Sequence, residues 1–302
     1  MVLGLKRSGF LILILALGIV LVSPNLLALE LKKTVAVSNF ENRSGWRGEI
    51  KLGDGMASQL TDALIQSGKF VVLERQTLDD VVAEQDLAAS GWTRESKTAE
   101  TGKLVPAQIL IKGTVTEFEE RSSGSGTGIS YGGISLGSSK SSAHVAVIIR
   151  IIDTTSGQVL DSARVEGTAK AGGLSIGVSR DVSFGTSGFK KTPLGEAVQI
   201  AIDKAVVQIA DKLADVPFSG KIIKVEDGLV YANVGTRNGA SVGDSFTVYA
   251  PGEELIDPDT GELLGSQKTK VGSIKLTSVE EKFSKASIEM GGGFEKGYII
   301  TD

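Results

Sequence analysis

The sequence of 302 residues has no cysteine, one histidine, six prolines and few aromatic side chains, 5% in all. The lack of cysteine excludes disulfides, thiolate metal sites and cysteine nucleophiles, and one histidine excludes metal sites built from several imidazoles. Ser-His-Asp catalysis would depend on His144 alone, whose place between Ala143 and Val145 in a strand pattern favours a structural role. The net charge of −4 also argues against a nucleic-acid partner. We therefore expect a protein that is not an enzyme and uses no cofactor.

The amino terminus has the pattern of an export signal. Two basic residues precede an uninterrupted apolar run from Phe10 to Val22, and Pro24 ends the run. These 13 residues are fewer than the ~20 that a membrane-spanning helix needs, so we expect a cleaved signal peptide over residues 1–28. Export without disulfides is typical of a bacterial envelope protein.

The remaining sequence divides into two domains near Pro217. Residues 29–216 mix strand patterns with amphipathic helix patterns, which predicts a mixed α/β domain. Its last helix has Thr192 at the N-cap and a proline at the first helical position. Residues 217–302 contain short strand patterns, among them Ser245–Tyr249 and Ser273–Ser278, separated by turn residues such as Asp257-Pro258-Asp259. This second domain is predicted to be a small β barrel or sandwich.

Two helices are predicted in the first half of the α/β domain. Apolar residues recur at helical spacing from Leu52 to Leu64, and Gly68 has the position of a C-cap glycine. The second helix covers Thr77–Leu87. We expect its apolar residues Leu78, Val81, Val82 and Leu87 to face inward. The segment Glu74-Arg75-Gln76 lies just before this helix, where a carboxylate can cap backbone amides and an arginine can pair with an acid, so a structural role is expected.

Two segments of the α/β domain, at about 122–142 and 170–190, differ from ordinary loops. Fifteen of the 21 residues in the first are Ser or Gly, a composition typical of flexible linkers. In both segments, however, apolar residues alternate with small ones. The alternating apolar positions are Ile129, Tyr131, Ile134 and Leu136 in the first segment and Leu174, Ile176, Val178, Val182 and Phe184 in the second. This alternation predicts two β-hairpins that are inserted into the domain.

The alternation has two explanations. In a transmembrane β-barrel, apolar residues face lipid and small polar residues face the lumen. Four strands cannot close such a barrel, so this explanation requires several chains in a ring. Alternatively, the hairpins cap the sheet of a soluble protein, and Lys140 on the apolar side of the first hairpin favours this second explanation.

A charged loop follows the first predicted strand. In it, Trp46 lies between Arg43 and Arg47. An exposed tryptophan among charges can bind a partner or line a pore. The alternative is that the indole anchors the loop by local packing.

The order of several motifs resembles the CsgG family, the curli production assembly/transport components. The resemblance covers about residues 32–214. It rests on Phe40-Glu41-Asn42, Gly53-Asp54-Gly55-Met56, Phe70–Gln76, Ala107–Glu117 and the helix Pro193–Leu213. The resemblance implies a homo-oligomeric ring in which each subunit gives two hairpins to a shared outer-membrane barrel, and the two insertions have the matching positions. It also implies a pore constriction in the loop of Arg43, Trp46 and Arg47. The absence of a lipid-anchor cysteine departs from the curli channels.

Residues 217–302 resemble the C-terminal domain of the flagellar assembly protein FlgT. The resemblance is carried by Val242–Tyr249, by Asp257-Pro258 and by the segment Thr260–Gly265. It implies an SH3-like β-barrel that contacts periplasmic assembly proteins.

The sequence thus predicts an α+β protein: a CsgG-type mixed α/β domain with two hairpin insertions, followed by a small SH3-like β-barrel domain. The expected function is an outer-membrane secretion or assembly component, forming an oligomeric ring or channel for the export of surface-fibre or envelope polypeptides. The alternative is a soluble periplasmic scaffold or regulator of envelope or flagellar assembly without a pore.

Overall fold

The computed structural model describes residues 31–47, 51–92, 104–124, 129–131, 134–176, 187–259, 261 and 263–302. In these residues the chain forms two β-sheets, each with its own hydrophobic core. The predicted mixed α/β class is confirmed, whereas the SH3-like assignment of the second sheet stays a prediction. The predicted signal peptide lies outside the described residues.

The first sheet has seven strands in the order β3-β1-β4-β6-β5, with β2 paired to β4 and β7 paired to β6. Its strands are β1 (Thr34–Val37), β2 (Glu41–Asn42), β3 (Val71–Leu73), β4 (Ile109–Gly124), β5 (Ile129–Tyr131), β6 (Ile134–Asp153) and β7 (Val159–Ile176). Strand β1 runs parallel to β3 and β4, and β4, β6 and β7 form antiparallel pairs. Three of the strands are therefore much longer than the rest.

The described residues of the α/β part form four α-helices: α1 (Leu52–Ser67), α2 (Leu78–Ala89), α3 (Ser187–Lys190) and α4 (Pro193–Ala214). Apolar residues of α1 and α4 share one core with the sheet. The Thr192 hydroxyl accepts a hydrogen bond from the Gly195 amide at 3.0 Å, so the predicted N-cap of α4 is confirmed. Gly68 adopts a left-handed φ of 66° at the end of α1, as its predicted C-cap role requires.

The prediction that α2 turns its whole apolar stripe inward is wrong. Val82 is 39% exposed and Leu87 is 41% exposed, and Gln85 is the buried residue of this helix. The helix follows β3, which pairs with β1 alone and thus forms the margin of the sheet. At this margin the described residues leave one side of the helix uncovered.

The second sheet closes into a six-stranded barrel in the order β10-β11-β12-β9-β8-β13. Its strands are β8 (Ser219–Glu226), β9 (Leu229–Ala232), β10 (Ser245–Ile256), β11 (Leu263–Val279), β12 (Ser284–Gly291) and β13 (Ile299–Thr301). The rings of Phe218 and Phe246 lie 6.4 Å apart in its core. Strands β10 and β11 extend well beyond the short segments predicted from the sequence.

The first described residues contact the barrel. Leu31 is only 3% exposed and belongs to the core of the barrel. The Lys32 amide donates to the Asn238 carbonyl at 2.8 Å, and Asn238 Nδ2 donates to the Lys32 carbonyl at 3.1 Å. Gln108 Nε2 also donates to the Ser219 carbonyl at 2.6 Å. Backbone and side-chain hydrogen bonds thus join the barrel to the α/β part.

Candidate functional site

The strands β4, β6 and β7 continue past the core as one unbroken ladder. Pairing of β4 with β6 runs from Ile109–Asp153 to Gly124–Ser139, and pairing of β6 with β7 reaches Leu136–Ile176. Among the residues of these strands whose burial is described, the last buried ones are Phe118, Ala143 and Ala169. Residues 119–124, 134–142 and 170–176 therefore form extensions of the sheet beyond the core. We call these residues the strand extensions.

Several apolar positions of the predicted hairpins are paired with one another in β5 and in the strand extensions of β6 and β7. Ile129 is paired with Leu136, and Tyr131 with Ile134. Leu136 is also paired with Ile176, and Ser138 with Leu174, so the first strand of the second segment lies beside the first segment. Three more predicted positions, Val178, Val182 and Phe184, lie outside the described residues.

The end of the second segment belongs to the core. Helix α3 covers Ser187–Lys190, and Phe189 is buried in the main hydrophobic cluster. The α3 backbone also approaches α4 closely, because a Cβ placed on Gly195 would lie 2.0 Å from the Phe189 carbonyl oxygen. A variant that removes the second strand extension must therefore keep residues 187–190.

The loop after β1 is fixed to the root of the β4 extension. The Trp46 ring packs edge-on against Phe118, with centroids 5.1 Å apart and an angle of 71°. Asn42 Nδ2 donates to the Trp46 carbonyl at 3.0 Å, and the Arg43 amide donates to the Val115 carbonyl at 2.8 Å. The indole is partly buried against the core, so it has the geometry of a packing anchor for the loop.

The two arginines of this loop are exposed. Arg43 Nε donates to Glu41 Oε1 at 2.7 Å, and this hydrogen bond lowers the pKa of the Glu41 carboxyl below its usual range. Arg47 is the second exposed cation. Their assignment to a pore constriction stays a prediction, and their exposure leaves both guanidinium groups accessible.

The segment Glu74-Arg75-Gln76 connects three parts of the fold. The Glu74 carboxylate accepts hydrogen bonds from the backbone amides of Gln76 and Thr77, at 2.5 and 3.0 Å, just before α2. These bonds, with that from Thr77 as the largest cause, lower the pKa of Glu74. The Gln76 side chain accepts a hydrogen bond from the Ser58 hydroxyl and donates one to the Thr61 hydroxyl, both on α1. Arg75 donates to the carbonyls of Glu74 and Val105.

A network of charged side chains crosses the root of the strand extensions and was not found from the sequence. Glu117 on β4 accepts from Arg164 NH2 at 2.6 Å and lies 2.8 Å from His144 Nε2. Arg164 Nε also contacts Glu166 at 2.7 Å. The bond from Arg164, followed by the contact with His144, lowers the pKa of Glu117. The one histidine is thus part of a surface ion-pair network.

Glu117 and Phe118 are consecutive in β4, so their side chains lie on opposite faces of the sheet. The Trp46 anchor therefore occupies the core face, and the charged network occupies the other face. Charged residues at alternate positions 164 and 166 of β7 are the pattern from which a solvated face of that strand could have been predicted, although not its contacts with Glu117.

In the described residues, no group of three or more acidic or histidine side chains has an arrangement that could hold a metal ion. None of the described helices combines the length and the apolar character required to cross a membrane.

Comparison with known proteins identifies relatives of the chain. The family model described as "Curli production assembly/transport component CsgG" matches residues 23–249. The CsgG proteins of Escherichia coli strain K12 and of Salmonella typhimurium strain LT2 are each 25% identical over 133 residues, which cover 42% of this chain and 47% of the relative. The chain therefore spans about half the length of the curated relatives that it matches.

A solved structure of the hypothetical protein CT253 from Chlamydia trachomatis is 14% identical to the chain. The alignment covers 60% of this chain and 98% of that protein, with a TM-score of 0.38. A similarity at this level is too low to establish a shared architecture.

Proposed function

The chain belongs to the CsgG family of curli production assembly/transport components, and on this premise we propose that it is an exported secretion or assembly component of a bacterial envelope. It works as a homo-oligomeric ring, and its strand extensions enter the outer membrane as part of a shared barrel. The ring conducts or guides an exported polypeptide and makes or breaks no covalent bond. Surface-fibre or envelope polypeptides are the proposed substrates.

The observation that carries this proposal is the length of the strand extensions. The extension of β6 covers the nine residues 134–142, next to Ala143, the last buried residue of that strand among those whose burial is described. At about 3.3 Å per residue they reach ~30 Å, and a membrane-crossing strand needs ~9–11 residues. Three neighbouring strands, β4, β6 and β7, extend together and stay paired along the extensions.

The loop after β1 has a proposed role at the entrance of the ring. Trp46 is engaged with Phe118, so contact with the exported polypeptide would come from the exposed Arg43 and Arg47. Cations at a narrow passage favour acidic segments of a passing chain and repel basic ones. The barrel, through the resemblance of residues 217–302 to the FlgT domain, is proposed to contact periplasmic assembly proteins.

The second candidate is a soluble periplasmic scaffold or regulator of envelope or flagellar assembly without a pore. One observation favours it: residues 137–142 of β6 are all Gly, Ser or Lys. Such a stretch offers no apolar surface to lipid. The two candidates predict different cell fractions for the same chain.

Membrane fractionation of matched variants tests the proposal. Asn-Gly replaces residues 123–140, since Ser122 and Ser141 are directly paired and so suit a two-residue turn, and a short Gly-Ser linker replaces 172–186. We expect the intact chain to require detergent for extraction and to migrate as an oligomer. The shortened chain should be folded, judged by circular dichroism, and should appear in the soluble periplasmic fraction.

A pair of single substitutions gives the control. Leu136→Asp places a charge at an apolar position of the alternation, and Ser135→Asp places the same charge at the neighbouring polar position. We expect only Leu136→Asp to release the protein from the membrane. A carboxylate facing lipid is destabilising, by less than the ~2–4 kcal/mol of an arginine or lysine at the bilayer midplane, whereas one facing the lumen costs little. An intact chain found as a soluble periplasmic monomer would overturn the channel proposal.

A further inference from the structure

Strands β10 and β11 project from the barrel as a two-stranded ribbon. Strand β10 pairs with β13 only over Thr247–Tyr249, and β11 pairs with β12 only over Gly272–Val279. Beyond these limits β10 and β11 pair with each other as far as Ile256 and Leu263. We call the ribbon of residues 250–256 and 263–270 the arm. Among the described residues, each outer edge of the arm has no strand partner.

The arm exposes apolar surface that it cannot bury itself. Leu255 is 46% exposed and Ile256 is 57% exposed, close to the tip. At the tip, Asp257 Oδ1 accepts a hydrogen bond from the Asp259 amide at 2.8 Å. An isolated two-stranded ribbon is only marginally stable in water, and long unpaired edges invite pairing with another strand. The arm therefore has the character of a contact element.

The charges of the arm are separated by strand. Glu253 and Glu254 lie on β10, and Lys268 and Lys270 lie on β11, all of them exposed. Register places Lys268 opposite Pro251, and Glu254 opposite Ser266, so no acid is directly opposite a base across the ribbon. The arm thus has one acidic edge and one basic edge.

From this arrangement we infer that arms of neighbouring copies of the chain pair side by side, with the acidic β10 edge of one copy against the basic β11 edge of the next. Because β10 and β11 run antiparallel within an arm, this contact continues the antiparallel hydrogen-bond pattern from copy to copy. Leu255 and Ile256 are covered by the neighbouring ribbon. Opposite charges meet at every contact.

A two-fold contact does not fit the same surface. Pairing of β10 with β10 would bring Glu253 and Glu254 against their own copies, and pairing of β11 with β11 would do the same for the lysines. The head-to-tail contact instead uses two different edges. Such contacts form a ring when the rotation between copies closes, and an open filament when it does not. This inference goes beyond the proposed channel, because it joins copies through the barrel and not through the strand extensions.

Single cysteines can report the contact, since the chain has no cysteine of its own. Pro251→Cys on β10 and Gln267→Cys on β11, carried by separate co-expressed full-length chains, are treated with a short bismaleimide. We expect cross-linked dimers from the mixture and few from either variant alone. Efficient cross-linking of Pro251→Cys chains with each other would indicate a two-fold contact and overturn the inference.

Charge reversal supplies the decisive comparison. Reversal of one edge, by E253K/E254K or by K268E/K270E, should lower the cross-link yield about tenfold, because repulsion replaces attraction at the contact. Reversal of all four residues in one chain recreates complementary edges and should restore the yield. The control K282E/K296E changes net charge as K268E/K270E does, on exposed lysines outside the arm, and should leave the yield unchanged.

Two outcomes would overturn the inference: a yield that is insensitive to single-edge reversal, or a fourfold reversal that is folded but not restored. The same cross-linking in the chain without strand extensions separates this inference from the channel proposal. We expect the cross-links to persist there even though membrane association is lost. Their disappearance in that variant would show that the arms do not bind each other by themselves.

Discussion

Glu74 shows how a single carboxylate links a strand to a helix. Its oxygen accepts amide hydrogen bonds from Gln76 and Thr77, and those amides precede the first turn of α2. Negative charge at this end of a helix is favourable, because the free backbone N–H groups carry partial positive charge. The sequence allowed this prediction of the capping role, since the required chemistry is local to four residues.

The substitution Glu74→Gln should lower the free energy of unfolding at pH 7 by about 0.5–1 kcal/mol, the value of a charged cap at an exposed helix start. The folded-state pKa of Glu74 lies below the ordinary 4.5, so the ionised carboxylate stabilises the fold above pH 4.5. This contribution is lost as the pH falls below 4.5 through the folded-state pKa. The difference between wild type and Glu74→Gln should therefore shrink on acidification, measured by urea unfolding at several pH values.

Glu84→Gln, at an exposed position on the same helix, serves as the control. Its effect at pH 7 should be smaller than that of Glu74→Gln. Equal effects of the two substitutions would contradict the capping role.

At the scale of elements, the helices differ in how far the sequence predicts them. Helix α4 combines a local N-cap with a continuous apolar stripe that faces the sheet. Both features can be predicted from the sequence. Helix α2 has an apolar stripe too, but whether a stripe is covered depends on what lies beside it. The position of α2 next to the edge strand β3 depends on the tertiary structure, so it cannot be predicted from the spacing of apolar residues alone.

Matched leucines on α1 and α2 test this difference. Leu64 is fully buried, whereas Leu87 is largely open. Leu64→Ala should cost about 2–5 kcal/mol of unfolding free energy, because it leaves a cavity in the core. Leu87→Ala should cost less than ~1 kcal/mol, since little buried surface is removed. A large loss for Leu87→Ala in the isolated monomer, followed by denaturant unfolding, would contradict the exposed position.

The charged network at the root of the strand extensions depends on an irregularity in β4. The register of β4 against β6 shifts between Val115 and Glu117. A strand of strict alternation would place Glu117 on the same face as the buried Val115. The bulge moves Glu117 to the solvated face, where Arg164 and His144 contact it, and brings Phe118 into the core. Strict alternation of buried and exposed residues along β4 therefore does not predict the contacts of Glu117 in this network.

At the scale of the whole molecule, the two domains were predicted from the sequence, but the contacts between them were not. Residues 31 and 32 precede β1, yet Leu31 packs in the barrel and Lys32 is bonded to Asn238. A contact between residues that are 206 positions apart cannot be predicted from a local sequence pattern. The arm was missed for a different reason. Residues 251–256 and 266–270 are exposed, so these segments have no alternation of buried and exposed positions to mark the strands.

Asn238→Ala should loosen the first described segment from the barrel. The substitution removes the donor to the Lys32 carbonyl, a bond worth about 0.5–1.5 kcal/mol. We expect faster tryptic cleavage at Lys32 and Lys33 under native conditions, followed by mass spectrometry. Asn233→Ala is the control, because Asn233 accepts from Lys221 within the barrel and does not contact the segment. Equal cleavage rates at Lys32 in the two variants would contradict the docking role of Asn238.

The docking of Leu31 has a consequence for the order of folding. Leu31 comes before β1 in the chain, whereas the core that buries it belongs to the barrel, whose strands begin at Ser219. Strands β1, β3 and β4 can pair without the barrel, but Leu31 stays in water until the barrel has formed. Long-range contacts of this kind form late, because loop closure has to precede them. Burial of Leu31 is thus expected to follow closure of the barrel.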